Sequence, residues 1–95
     1  MPKATVTIDY CTKCRFVLRA TWLAQELLFT FGDQLQAVSL RPAGGGVFRV
    51  MVDGETAWDR DVEDAFPDAK QLKQRVRDLA APGFDLGHSE VKPTS

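Results

Sequence analysis

The sequence predicts a mixed α/β domain, in which a four-stranded mixed sheet carries two helices in the order β-α-β-β-β-α. The apolar pattern changes from alternation to a spacing of three and four at Cys14, and returns to alternation at Leu35. Asp53-Gly54, a strong signal for a two-residue hairpin, follows another apolar run. A strand, a long helix and a second strand in succession favour a right-handed crossover with parallel pairing.

The first strand is predicted over residues 4–10, where Val6 and Ile8 alternate with polar residues. A broad helical stripe then covers residues 14–31, and Gly32 is a typical helix stop. The stripe consists of Phe16, Val17, Ala20, Leu23, Ala24, Leu27, Leu28 and Phe31.

Alternation predicts the second strand over residues 35–40 and the third over residues 47–52. Between them, residues 42–46 combine a proline with three glycines and are predicted to form a loop. Residues 55–59 return from the hairpin turn as a short fourth strand.

Residues 60–64 are densely charged and are predicted to form a solvated loop. The second helix is expected to open at Pro67-Asp68 and to end at Pro82-Gly83. Its narrow apolar face is made by Leu72, Val76 and Leu79.

One domain is expected over residues 1–83, followed by a weakly ordered tail over residues 84–95. The alternative is that Phe84 and Leu86 clamp the tail onto the body. Trp22 and Phe29 lie at the edge of the first helix's stripe. We expect them to pack in the core, and an exposed patch for a partner is the alternative.

Composition excludes several classes of function. The formal net charge of −1 argues against binding nucleic acid or an anionic membrane as the main role. No apolar run approaches the roughly 20 residues that span a bilayer. The N-terminus leads into a strand without a signal-peptide pattern, so a cytosolic protein is expected. We expect a monomer or a weak dimer.

Cys11 and Cys14 are the only two cysteines and lie where the first strand turns into the helix. In a reducing cytosol such a pair is typical of catalysis, redox sensing or metal binding rather than a structural staple. A separation of three positions at a helix start suits a disulfide. We expect Cys11 to be the more exposed and to attack, and Cys14 to resolve.

Two other interpretations of the pair remain open. The cysteines would pack as small reduced hydrophobes in one, and would hold a metal in the other. A zinc site needs four ligands, and His88 is the only histidine, so that site would require a dimer. His88 itself is interpreted as a plain surface residue.

Five neighbours of the pair are predicted to modulate it or to contact substrate. Lys13 and Arg15 flank the thiols, where a cation lowers a thiol pKa, although both also suit an exposed helix start. Thr12 lies inside the motif. Gly45 and Gly46 belong to a loop that allows a substrate backbone to approach closely.

Three blocks of this sequence resemble the selenoprotein W, T and H group. Residues 8–14 look like its strand and redox motif, and residues 46–54 look like its glycine and hairpin signature. Residues 66–78, 81–83 and 86–89 are similar to its bacterial members. The resemblance covers nearly the whole chain and implies a small redox protein with a thioredoxin-like fold and no bound cofactor.

The resemblance also bears on the roles of the thiols. Many animal members have selenocysteine where Cys14 stands, so attack by Cys14 is the alternative assignment. Gly46 precedes the third strand here, where thioredoxins carry a cis-proline. The group is tied to glutathione and antioxidant roles.

Together these features predict a cytosolic thiol–disulfide oxidoreductase acting on a disulfide or peroxide, with glutathione or a protein as partner. The alternative is a redox-regulated binding module whose disulfide switches a partner surface.

Overall fold

The computed structural model describes residues 2–87, so residues 88–95 of the predicted tail, including His88, lie outside the described residues. Within them the sheet has the order β2-β1-β3-β4, with β1 parallel to β2 and antiparallel to β3. The elements are β1 (Ala4–Cys11), α1 (Val17–Phe31), a 3₁₀ turn (Gly32–Gln34), β2 (Leu35–Ala43), β3 (Phe48–Val52), β4 (Glu55–Asp59), α2 (Arg60–Glu63) and α3 (Ala69–Ala80).

The helices α1 and α3 cover one face of the sheet. The first packs over β1 and β2, the second packs over β3 and β4, and the two helices contact each other. The buried apolar side chains form one core between these layers. From α1 they are Ala20, Leu23, Ala24, Leu27 and Phe31. In the described chain, no helix is long and apolar enough to cross a bilayer.

The opposite face of the sheet carries a row of alternating charges, one per strand. Arg41 on β2 donates two hydrogen bonds to Asp9 on β1, at 2.6 and 3.0 Å. Arg49 on β3 is paired in register with Asp9 and donates to Asp59 on β4 at 3.3 Å. Since β-strand side chains alternate between faces, this row lies away from the core formed by Val6 and its neighbours.

The predicted hairpin is confirmed. Asp53 and Gly54 both have positive φ, 49° and 89°, as a two-residue type I′ turn requires. At α3, Asp68 accepts a hydrogen bond from the Gln71 N–H at 2.7 Å, and the Gln71 side chain accepts one from the Asp68 N–H. This capping box begins the helix one residue after Asp68.

Two loop predictions are wrong. The second strand does not end at Leu40 but continues to Ala43, and Pro42 pairs in register with Tyr10. Because β2 is an edge strand, it has a neighbouring strand on one side only. The missing N–H of Pro42 therefore leaves no carbonyl of a second neighbouring strand without a partner. Residues Arg60–Glu63 form the short helix α2 instead of a loop, because Asp59 caps it by accepting from the Asp61 N–H.

The start of the tail is docked onto the body. Leu86 is buried in the core, and the Phe84 ring lies 5.5 Å from the Phe31 ring, centroid to centroid. For residues 84–87 these contacts agree with the alternative, in which Phe84 and Leu86 clamp the tail onto the body.

Trp22 and Phe29 are not core residues. Both are exposed, and Leu18 lies on the same side of α1 at helical spacing. The expectation of core packing is wrong because the buried side of α1 lies opposite these positions. Trp58, by contrast, is buried on β4, and its Nε1 donates to the Ala65 carbonyl at 2.9 Å.

Candidate active site

Cys11 is the last residue of β1, and Cys14 lies in the turn that follows it. Both are free thiols, and their sulfur atoms are 2.8 Å apart, with Cys14 donating to Cys11. A disulfide bond is about 2.05 Å long. A small movement of one side chain therefore brings the two sulfur atoms to bonding distance.

The exposure of the two thiols is the reverse of the prediction. Cys11 is only 2% exposed, whereas Cys14 is exposed to solvent. The prediction assumed that both cysteines lie in the first helical turn, but α1 begins at Val17, three residues after Cys14. Cys11 therefore keeps the burial of a strand residue, and Cys14 projects from the loop.

Backbone hydrogen bonds hold this loop in place. The Thr12 N–H donates to the Ala43 carbonyl at 3.1 Å, which ties the loop to the end of β2. The Arg15 N–H donates to Thr12 at 3.3 Å, and the Phe16 N–H donates to Cys11 at 3.4 Å. Arg15 adopts a φ of 61°, which is uncommon for a residue with a side chain and reverses the chain before the helix.

A glycine turn closes over the thiols from the β2–β3 connection. Gly45 and Gly46 both have positive φ, 67° and 75°, and the Val47 N–H donates to the Gly44 carbonyl at 3.3 Å. The Cys11 N–H donates to the Val47 carbonyl at 2.8 Å. The sequence singled out Gly45 and Gly46, and the structure brings their turn against the cysteine pair.

The surroundings favour the thiolate at Cys11 and the thiol at Cys14. The hydrogen bond from Cys14 is the main cause that lowers the pKa of Cys11, with backbone hydrogen bonds from Gly46, Cys14 and Lys13 acting in the same direction. The hydrogen bond to Cys11 and desolvation raise the pKa of Cys14. The shared proton is therefore held on the exposed sulfur.

Arg60 is the cation that acts on the exposed thiol, and it was missed in the sequence. Its charge lowers the pKa of Cys14, against the larger opposing effect of Cys11. The sequence pointed instead to Lys13 and Arg15, whose side chains are exposed beside the motif. Arg60 reaches the site because α2 follows β4, and no local pattern in the charged segment indicates this.

A separate groove lies away from the thiols. A groove of about 560 Å³ runs between α1 and α3 and includes Glu26, Phe29 and Lys73 in its lining. It contains no cysteine, so it is not part of this site.

Within residues 2–87 no three metal-binding side chains cluster together.

Residues 5–78 match the model of the Rdx family. The chain belongs to the Rdx family. It is also similar to two proteins of known crystal structure. One, from Bordetella parapertussis, is 55% identical, with a TM-score of 0.80 over 81% of this chain and 98% of that one. The other, a selenoprotein W-related protein from Vibrio cholerae, is 49% identical, with a TM-score of 0.79 over 81% of this chain and 96% of that one.

No curated protein matches this Rdx-family chain significantly. The resemblance stated from the sequence is confirmed by the family match and by the Vibrio cholerae structure. The predicted thioredoxin-like fold with a four-stranded mixed sheet is confirmed as well, with one short helix more than expected. Membership of the Rdx family, together with two nearby thiols, suggests a redox function.

Proposed function

We propose that this Rdx-family protein is a thiol–disulfide oxidoreductase in which Cys14 attacks the substrate and Cys11 acts first as base and then as resolving thiol. The observation that supports this most is the 2.8 Å hydrogen bond from the exposed Cys14 to the buried Cys11. Only the exposed sulfur lies where a substrate disulfide can approach it in line. The buried sulfur is the group that favours negative charge.

The reaction has two balanced steps. In the first, the Cys14 sulfur forms a bond to one substrate sulfur while its proton passes to the Cys11 thiolate, and the other substrate sulfur leaves as a thiolate. In the second, the Cys11 sulfur attacks Cys14 in the mixed disulfide, and its proton goes to the departing substrate thiol. The protein is oxidised to the Cys11–Cys14 disulfide, and the substrate disulfide is reduced to two thiols.

A peroxide substrate follows the same path. Cys14 takes one peroxide oxygen and becomes a sulfenic acid, and the alcohol or water leaves. Attack by Cys11 then forms the intramolecular disulfide and releases water. In the predicted cytosolic setting, a thioredoxin or glutathione system returns the pair to the dithiol.

Two single variants test the assignment. Cys11→Ser retains the exposed nucleophile but lacks both the base and the resolving thiol, so it is expected to trap a mixed disulfide on Cys14 at alkaline pH, where Cys14 ionises without that base. Cys14→Ser is the matched control and is expected to trap little, because its remaining sulfur is buried. Mass spectrometry after incubation with 2-hydroxyethyl disulfide measures both. Trapping on Cys14→Ser alone would reverse the roles, and trapping on neither would remove the proposed function.

A redox-regulated binding module is the second candidate, and one surface favours it. Leu18, Trp22 and Phe29 form an exposed apolar face on α1 that begins one turn after Cys14. Disulfide formation would fix the Cys14 side chain in the loop that leads into this face. In a Trp58→Phe background, the emission of Trp22 reports such a change. This candidate is favoured over the enzyme by two results together. The Trp22 emission changes strongly on oxidation, and disulfides oxidise the protein no faster than they oxidise a free dithiol.

A further inference from the structure

A cluster of three aromatic rings lies beneath the thiol loop. Phe66 packs edge-on against Phe16, with ring centroids 4.8 Å apart, and against Phe48, with centroids 5.1 Å apart. Phe16 and Phe48 also contact each other edge-on at 6.3 Å. The cluster joins the start of α1, β3 and the chain before α3 into one support.

Two arginines stack on this support. The guanidinium of Arg19 lies 4.3 Å from the centroid of Phe66, and that of Arg60 lies 5.1 Å from the same centroid. Arg60 also lies 5.4 Å from the centroid of Phe16. Stacking holds a guanidinium in place while its N–H groups remain free to bind a carboxylate. We call Arg19 and Arg60 the arginine pair.

Neither member of the arginine pair has a carboxylate partner among residues 2–87, although most of the other arginines there have one. The buried Nε of Arg60 has no hydrogen-bond partner at all in this part of the chain. Asp59 precedes Arg60 in the chain, but its carboxylate already accepts hydrogen bonds from Arg49 and from the N–H at the start of α2. A buried donor without a partner is costly, so the Arg60 guanidinium is not fully satisfied by this part of the chain.

From this arrangement we infer that the arginine pair is a subsite for a carboxylate, and that the protein prefers disulfides with a carboxylate close to the sulfur that Cys14 attacks. The inference rests on the proposed function, since it names the substrate class of the same site. Proximity is supported by geometry, since Arg60 lies over the ring of Phe16, two residues after Cys14, and the Phe16 N–H donates to the Cys11 carbonyl. Exposed Lys13 and Arg15 add positive charge to the thiol loop itself.

Three small disulfides with the same two-carbon spacers isolate the charge of the substrate. They are 3,3′-dithiodipropionate, which is anionic, 2-hydroxyethyl disulfide, which is neutral, and cystamine, which is cationic. The rate constant for oxidation of the reduced protein is divided by that for reduced dithiothreitol with the same compound. At low ionic strength we expect the anionic compound to exceed the cationic one by roughly tenfold or more, and added salt to reduce this ratio.

Substitutions then assign the ratio to residues. Arg60→Gln and Arg19→Gln are each expected to lower the anionic-to-cationic ratio, and Arg60→Lys is expected to keep most of it. The ratio is informative because any change in thiol reactivity affects all three compounds alike. Lys3→Gln is the matched control, since it removes one charge at the opposite end of β1, roughly 25 Å from Cys11 at 3.3 Å per residue.

The outcomes separate this inference from the proposed function. Equal normalised rates for the three compounds, or an unchanged ratio in both glutamine variants, would overturn the subsite and leave the oxidoreductase in place. No reaction with any compound would overturn the proposed function itself. Thermal unfolding identifies a variant that fails to fold, and Arg19→Gln then carries the test, because that side chain is exposed.

Disulfide-linked dimers of N-acetyl-Asp-Cys-amide and N-acetyl-Asn-Cys-amide, which lack terminal charges, distinguish the source of the carboxylate. The charge effect is the ratio of the rate constant for the anionic compound to that for its less anionic counterpart. If this ratio is larger for the peptide pair than for the small compounds, the substrate is assigned to polypeptides with acidic residues next to the cysteine. A larger effect for the small compounds assigns it to low-molecular-weight disulfides.

Discussion

The thiol of Cys14 donates a hydrogen bond to the sulfur of Cys11, and the acceptor is buried while the donor is exposed. This one contact divides the work between the cysteines, because it lowers the pKa of Cys11 and raises the pKa of Cys14. Accessibility and thiolate character are therefore found on different sulfurs.

If the Cys14 hydrogen bond is the main cause of the lowered pKa of Cys11, then removing its donor should raise that pKa. Cys14→Ala is expected to move the pKa of Cys11 up, whereas Cys14→Ser keeps a donor and is expected to retain more of the lowering. Thiolate absorbance at 240 nm against pH measures both variants, each of which has one cysteine. The double variant Cys11→Ser/Cys14→Ser supplies the baseline absorbance of a protein without thiols. Identical pKa values in the two single variants would contradict the prediction.

Gly46 is expected to be required for both stability and thiolate character. Its φ of 75° is costly for any residue with a Cβ, by about 1–2 kcal/mol, although a Cβ there would meet no atom within 4 Å. Gly46→Ala should therefore destabilise the fold and, by shifting the backbone, raise the pKa of Cys11. Gly44→Ala is the control, since Gly44 does not have a positive φ. In the control, the free energy of unfolding measured with denaturant and the pKa of Cys11 measured by absorbance should both be unchanged.

The ion pair of Glu63 with Arg75 predicts a loss of stability in acid. Arg75 donates to Glu63 at 2.6 Å and lowers the pKa of that carboxyl below 4.5 in the folded protein. The unfolded chain therefore takes up the proton first as the pH falls. The contribution is fully present above 4.5 and is lost as the pH falls through the folded pKa. Glu63→Gln should flatten the dependence of unfolding free energy on pH below 4.5, and Asp61→Asn, which removes an exposed acid of the same helix, should flatten it less.

Adjacent leucines of α1 provide a matched test of the core. Leu27 is fully buried and Leu28 is 48% exposed. Leu27→Ala should cost about 2–5 kcal/mol because it removes buried methyl groups and leaves a cavity. Leu28→Ala should cost less than about 1 kcal/mol. The unfolding free energy of each variant decides this, and equal losses would mean that the orientation of α1 is incorrect.

Docking of the chain after α3 predicts a stability role for Leu86, which is 6% exposed. Leu86→Ala should cost about 2–5 kcal/mol if this side chain fills the core. Val62→Ala is the control, because Val62 is 77% exposed on α2. A thermal melting temperature for Leu86→Ala equal to that of the control would show that the segment is not part of the stable body.

Elements whose signal is local could be predicted from the amino-acid sequence. The alternation around Val6 and Ile8, the helical stripe, and the backbone preference of Asp53-Gly54 act within a few residues, so the sheet, both main helices and the hairpin could be predicted. The cysteine pair and the glycines beside it were also recognisable from spacing alone.

Features that depend on distant neighbours could not be predicted in this way, because they arise when the chain packs. Pro42 continues a strand because β2 lies at the sheet edge, and Cys11 is buried because it ends β1 beneath the glycine turn. The charge of Arg60 acts on Cys14 because the guanidinium stacks on Phe66 and on Phe16, which follows the thiol loop. Exposure, thiol pKa and the location of unpaired charge are properties of packing between segments far apart in the chain, and no periodicity in the sequence encodes them.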